Sequence, residues 1–243
     1  MQSPNFIEFL LSELSFKMIH VEGGIFMMGG TDDKYFDWET PIHKVSLDSF
    51  YLGQYPVTQV LWKEVMRSNP SEFKGETNPA ENVSWEDAQI FLQKLNKITG
   101  KPYRLPSEAE WEFAARGGIH SEGYIYAGSD RLKEVGWYSE NGDPQTHPVG
   151  QKLGNELGLF DMSGNVFEWC QDWFDENYYQ YCADQGVVHN PLGFNKWFSR
   201  VMRGGNWHIN AQSCRVSYRY DARPDYSGSD VGFRLALSPE SDD

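Results

Sequence analysis

Apolar and polar residues follow helical spacing in the first half of the chain. Ser84 is followed three residues later by Asp87, and Ser107 by Glu110, which is the spacing of an N-terminal capping box. Behind both boxes, apolar residues recur every three or four positions, so they share one helix face. The pattern predicts four helices, all in the first half: one that begins at Ser3-Pro4, one over 58–66, and one after each capping box.

Strand signals are shorter and more scattered, and clusters of Gly, Pro, Asn and Asp separate them. The predicted strands lie at 17–22, 25–28, 43–51, 200–203 and 232–237. Residues 117–191 look mostly irregular, and loops of that length in a compact domain are normally functional or held down by packing. We predict an N-terminal helical segment over 1–16 and a single domain over 17–243.

Composition narrows the classes of function. With 243 residues, 40% of them hydrophobic, the chain has enough apolar material for a substantial core. A formal net charge of -14 argues against binding to nucleic acid or to an anionic membrane surface. No apolar run approaches the roughly 20 residues of a membrane span, and Met1 to Leu14 lacks the pattern of a signal peptide. We therefore expect no transmembrane segment.

The three cysteines, Cys170, Cys182 and Cys214, are too few for a disulfide framework and lack zinc-site spacing. Buried free thiols are the simplest interpretation, and a Cys170 to Cys182 disulfide is the alternative if the protein is exported. The six histidines show no metal-ligand spacing, so no metal is assigned to them.

Five motifs, in this order, carry a resemblance to a known family: NPAENVSWEDA, YRLPSEAEWEFAARGG, GLFDMSGNVFEWCQDWF, RVMRGGNW and VGFRLAL. The chain resembles the formylglycine-generating enzyme, or sulfatase-modifying factor, family. The resemblance implies an α+β, C-type-lectin-like fold, with a small twisted antiparallel sheet, two main helices and extensive loops.

The catalytic members of that family bind copper with two cysteines that lie five residues apart after the RGG motif. Counted from Arg203-Gly204-Gly205, these positions fall on Ile209 and Cys214. Copper(I) prefers soft thiolate ligands, and an isoleucine cannot supply one. We therefore expect no catalytic residues, although a homologue with residual or altered oxidase activity stays open as an alternative.

The last part of the chain resembles another branch of this fold, the variable proteins of diversity-generating retroelements. In that branch a rewritten segment lies between constant ends, and mutation of adenines in Asn codons yields Tyr, Asp, Ser, Gly, His, Ile, Ala and Arg, but never Lys, Glu, Gln, Met or Trp. Between Asn206 and Asp230 the last five types occur only at Trp207 and Gln212, and the constant-looking ends are RGGNW and VGFRLAL. The resemblance thus implies a diversified segment over 206–230.

Within that segment the resemblance implies thirteen rewritten, ligand-binding positions: His208, Ile209, Asn210, Ser213, Tyr218, Tyr220, Asp221, Ala222, Arg223, Tyr226, Gly228, Ser229 and Asp230. CRVS and Pro224-Asp225 are expected to stay constant. The implied partner is a macromolecule, most readily a protein, bound by a monomer at the cell surface. The chain has no lipid-anchor cysteine near its start, so that location is implied by the resemblance alone. An adhesin with a fixed ligand, in which the segment is an ordinary polar loop, is a further alternative.

Apolar residues and arginines are expected to hold the segment in place. Its anchoring core is predicted as Trp207, Cys214, Val216, Phe233 and Leu235, and its arginines Arg203, Arg219 and Arg234 are predicted to pair with carboxylates. No cofactor is assigned. Calcium binding stays open, because enzymatic relatives hold calcium near a segment like the one that contains Asn165 and Glu168. The favoured interpretation of this segment is a tight turn that is capped by its own side chains.

Overall fold

The computed structural model describes residues 4–10, 14–30, 37–195 and 198–239. Eleven strands lie in these ranges: β1 Phe6–Phe9, β2 Ser15–Val21, β3 Gly24–Met28, β4 His43–Leu47, β5 Phe50–Gly53, β6 Phe167–Trp173, β7 Val187–His189, β8 Arg200–Arg203, β9 Arg219–Ala222, β10 Val231–Gly232 and β11 Ala236–Leu237. Five α-helices lie in the same ranges: α1 Gln59–Met66, α2 Trp85–Thr99, α3 Glu108–Ala115, α4 Leu132–Val135 and α5 Tyr178–Gln185. Short 3-10 helices occur at Asp37–Glu39, Gly118–His120 and Ala211–Cys214.

The described strands form three small sheets, with the orders β1-β2-β5-β11, β3-β4-β7 and β10-β6-β8-β9. The predicted α+β architecture with small sheets is confirmed. The expected single antiparallel sheet is corrected, because β4 pairs with β7, and β6 with β10, in parallel. In the described part of the chain, none of the helices combines the length and the apolar character needed to cross a membrane.

Helices α1, α2 and α3 confirm the predictions made from capping and apolar spacing. Ser84 Oγ accepts the Asp87 N–H at 3.0 Å, and Asp87 Oδ2 accepts the Ser84 N–H at 3.1 Å. The same reciprocal pair joins Ser107 and Glu110. Each box satisfies two of the backbone donors that a helix start leaves free.

The predicted N-terminal helix is wrong for Phe6–Phe9, which form strand β1 and pair antiparallel with β2. The Tyr103 hydroxyl donates a hydrogen bond of 2.6 Å to the Glu8 carboxylate, and Lys101 pairs with the same group. These long-range contacts outweigh a local helix signal. Residues 1–3 and 11–13 of that predicted segment lie outside the described residues. Helices are also not confined to the first half, since α5 lies in the second.

The β10-β6-β8-β9 sheet lies between two large clusters of buried apolar side chains. Val201 belongs to one cluster and its neighbour Met202 to the other, because successive residues of a strand point to opposite faces. The chain leaves β8, forms β9 at one edge of this sheet and continues to β10 at the opposite edge. Residues 206–230, called the 206–230 connection below, therefore comprise the loop from β8 to β9, strand β9 itself and the loop from β9 to β10 at the opposite edge.

Candidate binding surface

Buried ion pairs hold the start and the middle of the 206–230 connection. Arg203, just before it, pairs with Glu112 and lies 3.5 Å from Glu108, while Arg219 Nε donates to Glu108 at 2.6 Å. All four side chains are almost fully buried. Burial alone lowers the pKa of Arg203, but Glu112 and its other anionic neighbours raise it above its ordinary value. Burial likewise opposes ionisation of Glu112, and Arg116 and Arg203 overcome that effect and lower its pKa.

A third buried ion pair holds the end of the connection. Arg234 donates from Nε and Nη2 to the two oxygens of Glu168, at 2.6 and 2.7 Å. Trp111 Nε1 donates to the same carboxylate at 2.7 Å. The predicted pairing of Arg203, Arg219 and Arg234 with carboxylates is thus confirmed.

Arg203 also holds the backbone of the connection directly. Its guanidinium donates to the carbonyl oxygens of Val216, Ser217 and Tyr218 at 2.9, 2.9 and 2.7 Å. Because these bonds use main-chain acceptors, they do not depend on which side chains the segment carries. Arg203 therefore fixes the backbone of residues 216–218 whatever side chains these residues carry.

Four of the five predicted anchoring residues, Cys214, Val216, Phe233 and Leu235, are buried. Trp207 is only half-buried. Its indole N–H donates to the Ser229 carbonyl at 3.1 Å, so the ring bridges two parts of the connection at the surface. Phe73 packs edge-on against it, with ring centroids 5.5 Å apart.

The thirteen predicted variable positions differ in exposure. Five are exposed, namely His208, Asn210, Tyr220, Arg223 and Tyr226. Six are half-buried, namely Ile209, Asp221, Ala222, Gly228, Ser229 and Asp230. Ser213 and Tyr218 are buried. Eleven positions therefore reach the surface and two do not.

Ser213 and Tyr218 lie beneath the surface because each packs into supporting structure. Ser213 belongs to the 3-10 helix Ala211–Cys214, whose first turn is capped by Asn210 Oδ1. The Tyr218 ring stacks on Phe167, and burial raises the pKa of its hydroxyl, which hydrogen-bonds Ser213. Substitution at these two positions would change the support of the surface rather than its exposed groups.

Tyrosines project from the surface on a fixed aromatic base. Tyr220 is 41% exposed, and its ring lies parallel to the buried Phe167 ring at 5.2 Å. Tyr226 is 43% exposed and hydrogen-bonds Asp230. Sequence reasoning missed the supporting roles of Phe167 and Phe73, since no local pattern distinguishes a ring beneath a surface from other core aromatics.

Polar contacts fix Asp230 at the end of the surface. Asn206 Nδ2 donates to Asp230 Oδ2 at 2.8 Å, and His208 Nε2 lies 3.9 Å from the same oxygen. Burial raises the pKa of the Asp230 carboxyl, and the nearby His208 imidazole opposes that rise. The Asp230 carbonyl accepts the Phe167 N–H at 2.8 Å, so this position also holds β10 beside β6.

Asn165 and Glu168 do not fit a calcium site. Asn165 adopts a left-handed backbone with φ of 66° and exchanges hydrogen bonds of 3.1 and 3.0 Å with the backbone of His147. Both Glu168 oxygens are bound by Arg234, so a cation would have to displace a buried guanidinium. In the described ranges, no group of three or more His, Cys, Asp or Glu side chains is arranged to hold a metal ion.

All three cysteines are free and buried. Burial raises the pKa of Cys214 to about 12, which keeps its thiol protonated at neutral pH. Ile209 packs against the small apolar cluster that contains Cys214. A pair of thiolates is therefore absent from the positions at which catalytic relatives carry their copper ligands.

The sequence profile described as "Sulfatase-modifying factor enzyme 1-like domain" matches residues 12–239. The chain belongs to this family. It is 34% identical to Chaperone protein LppX of Paenibacillus barcinonensis, over 91% of this chain and 89% of that protein. It is 38% identical to the Formylglycine-generating enzyme of Streptomyces coelicolor, over 68% of this chain, and spans 55% of that enzyme.

Among solved structures, the chain is similar to Treponema denticola variable protein 1, with a TM-score of 0.88 and 29% identity. The match covers 98% of this chain and 100% of that protein. The C-type-lectin-like fold expected for the family is thereby confirmed. The likeness to a variable protein is confirmed as well. The Streptomyces relative, in contrast, is named as an enzyme.

Proposed function

We propose that this protein is a ligand-binding variable protein of a diversity-generating retroelement and not an enzyme. One observation carries the proposal: buried ion pairs and bonds to main-chain carbonyls hold the 206–230 connection, while eleven of its thirteen predicted variable positions reach the surface. Substitutions at exposed positions usually change stability by no more than about 0.5 kcal/mol. The buried support of the connection therefore tolerates many different side chains at the exposed positions. The similarity to Treponema denticola variable protein 1 along nearly the whole chain supports the proposal.

The ligand is a macromolecule, and a protein fits best. Tyr220 and Tyr226 each offer a large ring with few rotatable bonds and a hydrogen-bonding hydroxyl, a combination common in protein-binding surfaces. The net charge of -14 disfavours nucleic acid as the ligand. We propose in addition that the protein acts as a monomer at the cell surface.

Sequencing of the gene's 3′ end across many cells, together with the flanking DNA, tests this function. The expected result is a near-identical repeat beside a reverse-transcriptase gene, with AAC or AAT where this gene encodes His208, Tyr220 and Tyr226. Codons for Arg203 and Arg219 should not vary. An invariant segment without such a repeat would overturn the proposal.

A sulfatase-modifying-factor homologue with altered oxidase activity is the second candidate, favoured by the identity with the Streptomyces enzyme. Against it stand Ile209 at the first copper position and the protonated, buried thiol of Cys214. Copper(I) titration separates the candidates. We expect no stoichiometric copper binding, and tight binding that Cys214→Ser abolishes would support the oxidase instead.

A fixed-ligand adhesin on the same fold is the third candidate. Binding to one glycan or protein that survives substitution of Tyr220, Arg223 and Tyr226 together would favour it. The variable-protein proposal expects that triple substitution to abolish binding of any ligand found for this sequence.

A further inference from the structure

We infer that the chain carries a constant anchor cleft beside the variable surface, which takes an apolar side chain flanked by a cationic group of a protein ligand. Six residues line the anchor cleft: Glu86, Trp173, Phe198, Arg223, Pro224 and Asp225. Its volume is about 390 Å³. Only Arg223 is among the thirteen predicted variable positions. The inference rests on the proposed function for the division into constant and variable residues and for a protein as the ligand, whereas the cleft and its charges do not depend on it.

The apolar wall of the anchor cleft is large and accessible. Phe198 is 81% exposed, the highest value among the large apolar side chains of the described residues. Trp173 and Pro224 contribute half-buried apolar surface beside it. An accessible aromatic side chain at a concave site is a common feature of anchoring positions in protein interfaces.

A buried cation fixes the position of the Trp173 ring. The Arg200 guanidinium lies between two indoles, 3.5 Å from the centroid of Trp173 and 3.8 Å from that of Trp85. Arg200 is 9% exposed and donates to the Gln171 carbonyl at 2.6 Å. Because guanidinium and indole planes stack favourably, the Trp173 part of the wall is ordered before any ligand arrives. A preformed wall reduces the entropy lost on binding.

The anchor cleft also accounts for the constancy expected of Pro224-Asp225 inside the rewritten segment. The Pro224 carbonyl accepts the Glu86 N–H at 3.4 Å, which ties the segment to the first turn of α2. Arg223 and Tyr226 close the turn through a backbone bond of 2.9 Å. Pro224 and Asp225 then complete a cleft whose other constant walls come from α2, β6 and Phe198.

The charge of the rim determines the chemistry of the ligand. Glu86 and Asp225 place two carboxylates at the anchor cleft, in a chain of net charge -14. Arg223 forms a bidentate pair with Asp225, at 3.1 and 2.8 Å, and compensates the charge of that carboxylate. Among the described residues no ion pair engages Glu86, so its carboxylate is left to attract a cation. Replacement of Arg223 would release Asp225, so this variable position sets how strongly the constant anchor cleft prefers cationic groups.

Three small probes of equal aromatic size test the inference: 2-phenylethylammonium, neutral 2-phenylethanol and anionic 3-phenylpropanoate. Each is titrated into the whole ¹⁵N-labelled chain while the Trp173 indole N–H signal, assigned with Trp173→Phe, is followed. We expect the cation to bind most tightly and the anion most weakly. Arg223→Ser should tighten binding of the cation by about two- to fivefold, the usual range for one exposed charge pair, without affecting the alcohol.

Phe198→Ala should weaken binding of the cationic probe at least about fivefold, because an anchoring aromatic side chain is lost. Phe9→Ala is the matched control, since Phe9 is 67% exposed on β1 of another sheet, and it should leave binding unchanged. Equal affinities for all three probes, no shift at Trp173, or equal effects of the two Phe variants would each overturn the inference. An invariant gene segment would refute the proposed rewriting and leave these probe results intact, so the two failures are distinguishable.

Discussion

At the residue scale, Arg203, Arg219 and Arg234 each place a buried guanidinium against a buried carboxylate. Arg219 illustrates the arrangement. Its guanidinium donates to both oxygens of Glu108 and to the Trp38 carbonyl, and it lies 4.0 Å from the Tyr179 ring centroid. Removal of a buried charge with this many partners is strongly destabilising, because the Glu108 carboxylate stays buried and keeps only the longer, 3.5 Å contact with Arg203.

Arg219→Met should therefore lower the free energy of unfolding by about 3–5 kcal/mol. Arg223→Met removes the same charge at an exposed position, where the effect should stay within about 0.5 kcal/mol. Urea unfolding followed by circular dichroism measures both. Similar effects for the two variants would mean that the buried pairs do not hold the segment.

At the element scale, the sequence predicts elements that carry clear local signals, such as α2, α3 and β8, and misses β6, β9 and α5. Helices α2 and α3 were predictable because their capping boxes are complete within four residues. Strand β6 was not, because it is buried on both faces and its residues therefore show no apolar alternation. Strand β9 begins with the charged Arg219, whose burial depends on partners distant in sequence, Glu108 and the Trp38 carbonyl. Helix α5 begins without a side-chain cap.

The contact between α3 and β6 should make stability depend on pH. Asp172 of β6 accepts the Glu108 N–H at the start of α3 at 2.8 Å, and burial, with Glu108 nearby, raises the pKa of Asp172 to about 8. Between about pH 4, the unfolded pKa, and about pH 8, the folded state holds a proton that the unfolded state has lost. This contribution therefore stabilises the fold most at low pH and is lost as pH rises through that window.

Asp172→Asn removes the titrating group and keeps an acceptor for the Glu108 N–H. The fall in unfolding free energy between pH 5 and pH 7.5 should become shallower, by at most about 1.4 kcal/mol per pH unit. Denaturation series at several pH values measure this slope. A variant whose slope equals that of the native chain would show that Asp172 is ionised in the fold.

At the scale of the whole molecule, the motifs predicted the family and the fold, and the comparisons confirmed both. The exposure of each variable position was beyond sequence reasoning. Tyr218 and Tyr220 are two residues apart, yet one is 4% and the other 41% exposed. Strand alternation does not separate them, because Tyr218 precedes β9 and turns inward onto Ser213. Only the folded structure shows that Tyr218 supports the surface from beneath and that Tyr220 is exposed to a ligand.

The fold should survive replacement of its exposed variable side chains. The triple variant His208→Ser, Tyr220→Ser, Tyr226→Ser should keep the native circular dichroism spectrum and lose at most about 1.5 kcal/mol, the sum of three surface effects. Tyr218→Ser alone should cost about 2–4 kcal/mol, because it empties a buried ring position. A triple variant that is less stable than Tyr218→Ser would contradict this expectation, because it would show that the exposed variable side chains contribute strongly to the stability of the fold.

The spacing of the three buried arginines restricts how the segment can evolve. Arg219 enters the core from β9, where neighbouring residues point to opposite sides. A change of length that shifts the register of β9 against β8 by one residue would move the Arg219 guanidinium to the other side of the strand, and Glu108 would keep only its 3.5 Å contact with Arg203. Substitution at the exposed positions leaves this register unchanged, so we expect the segment to vary in the identity of its residues and to keep its length.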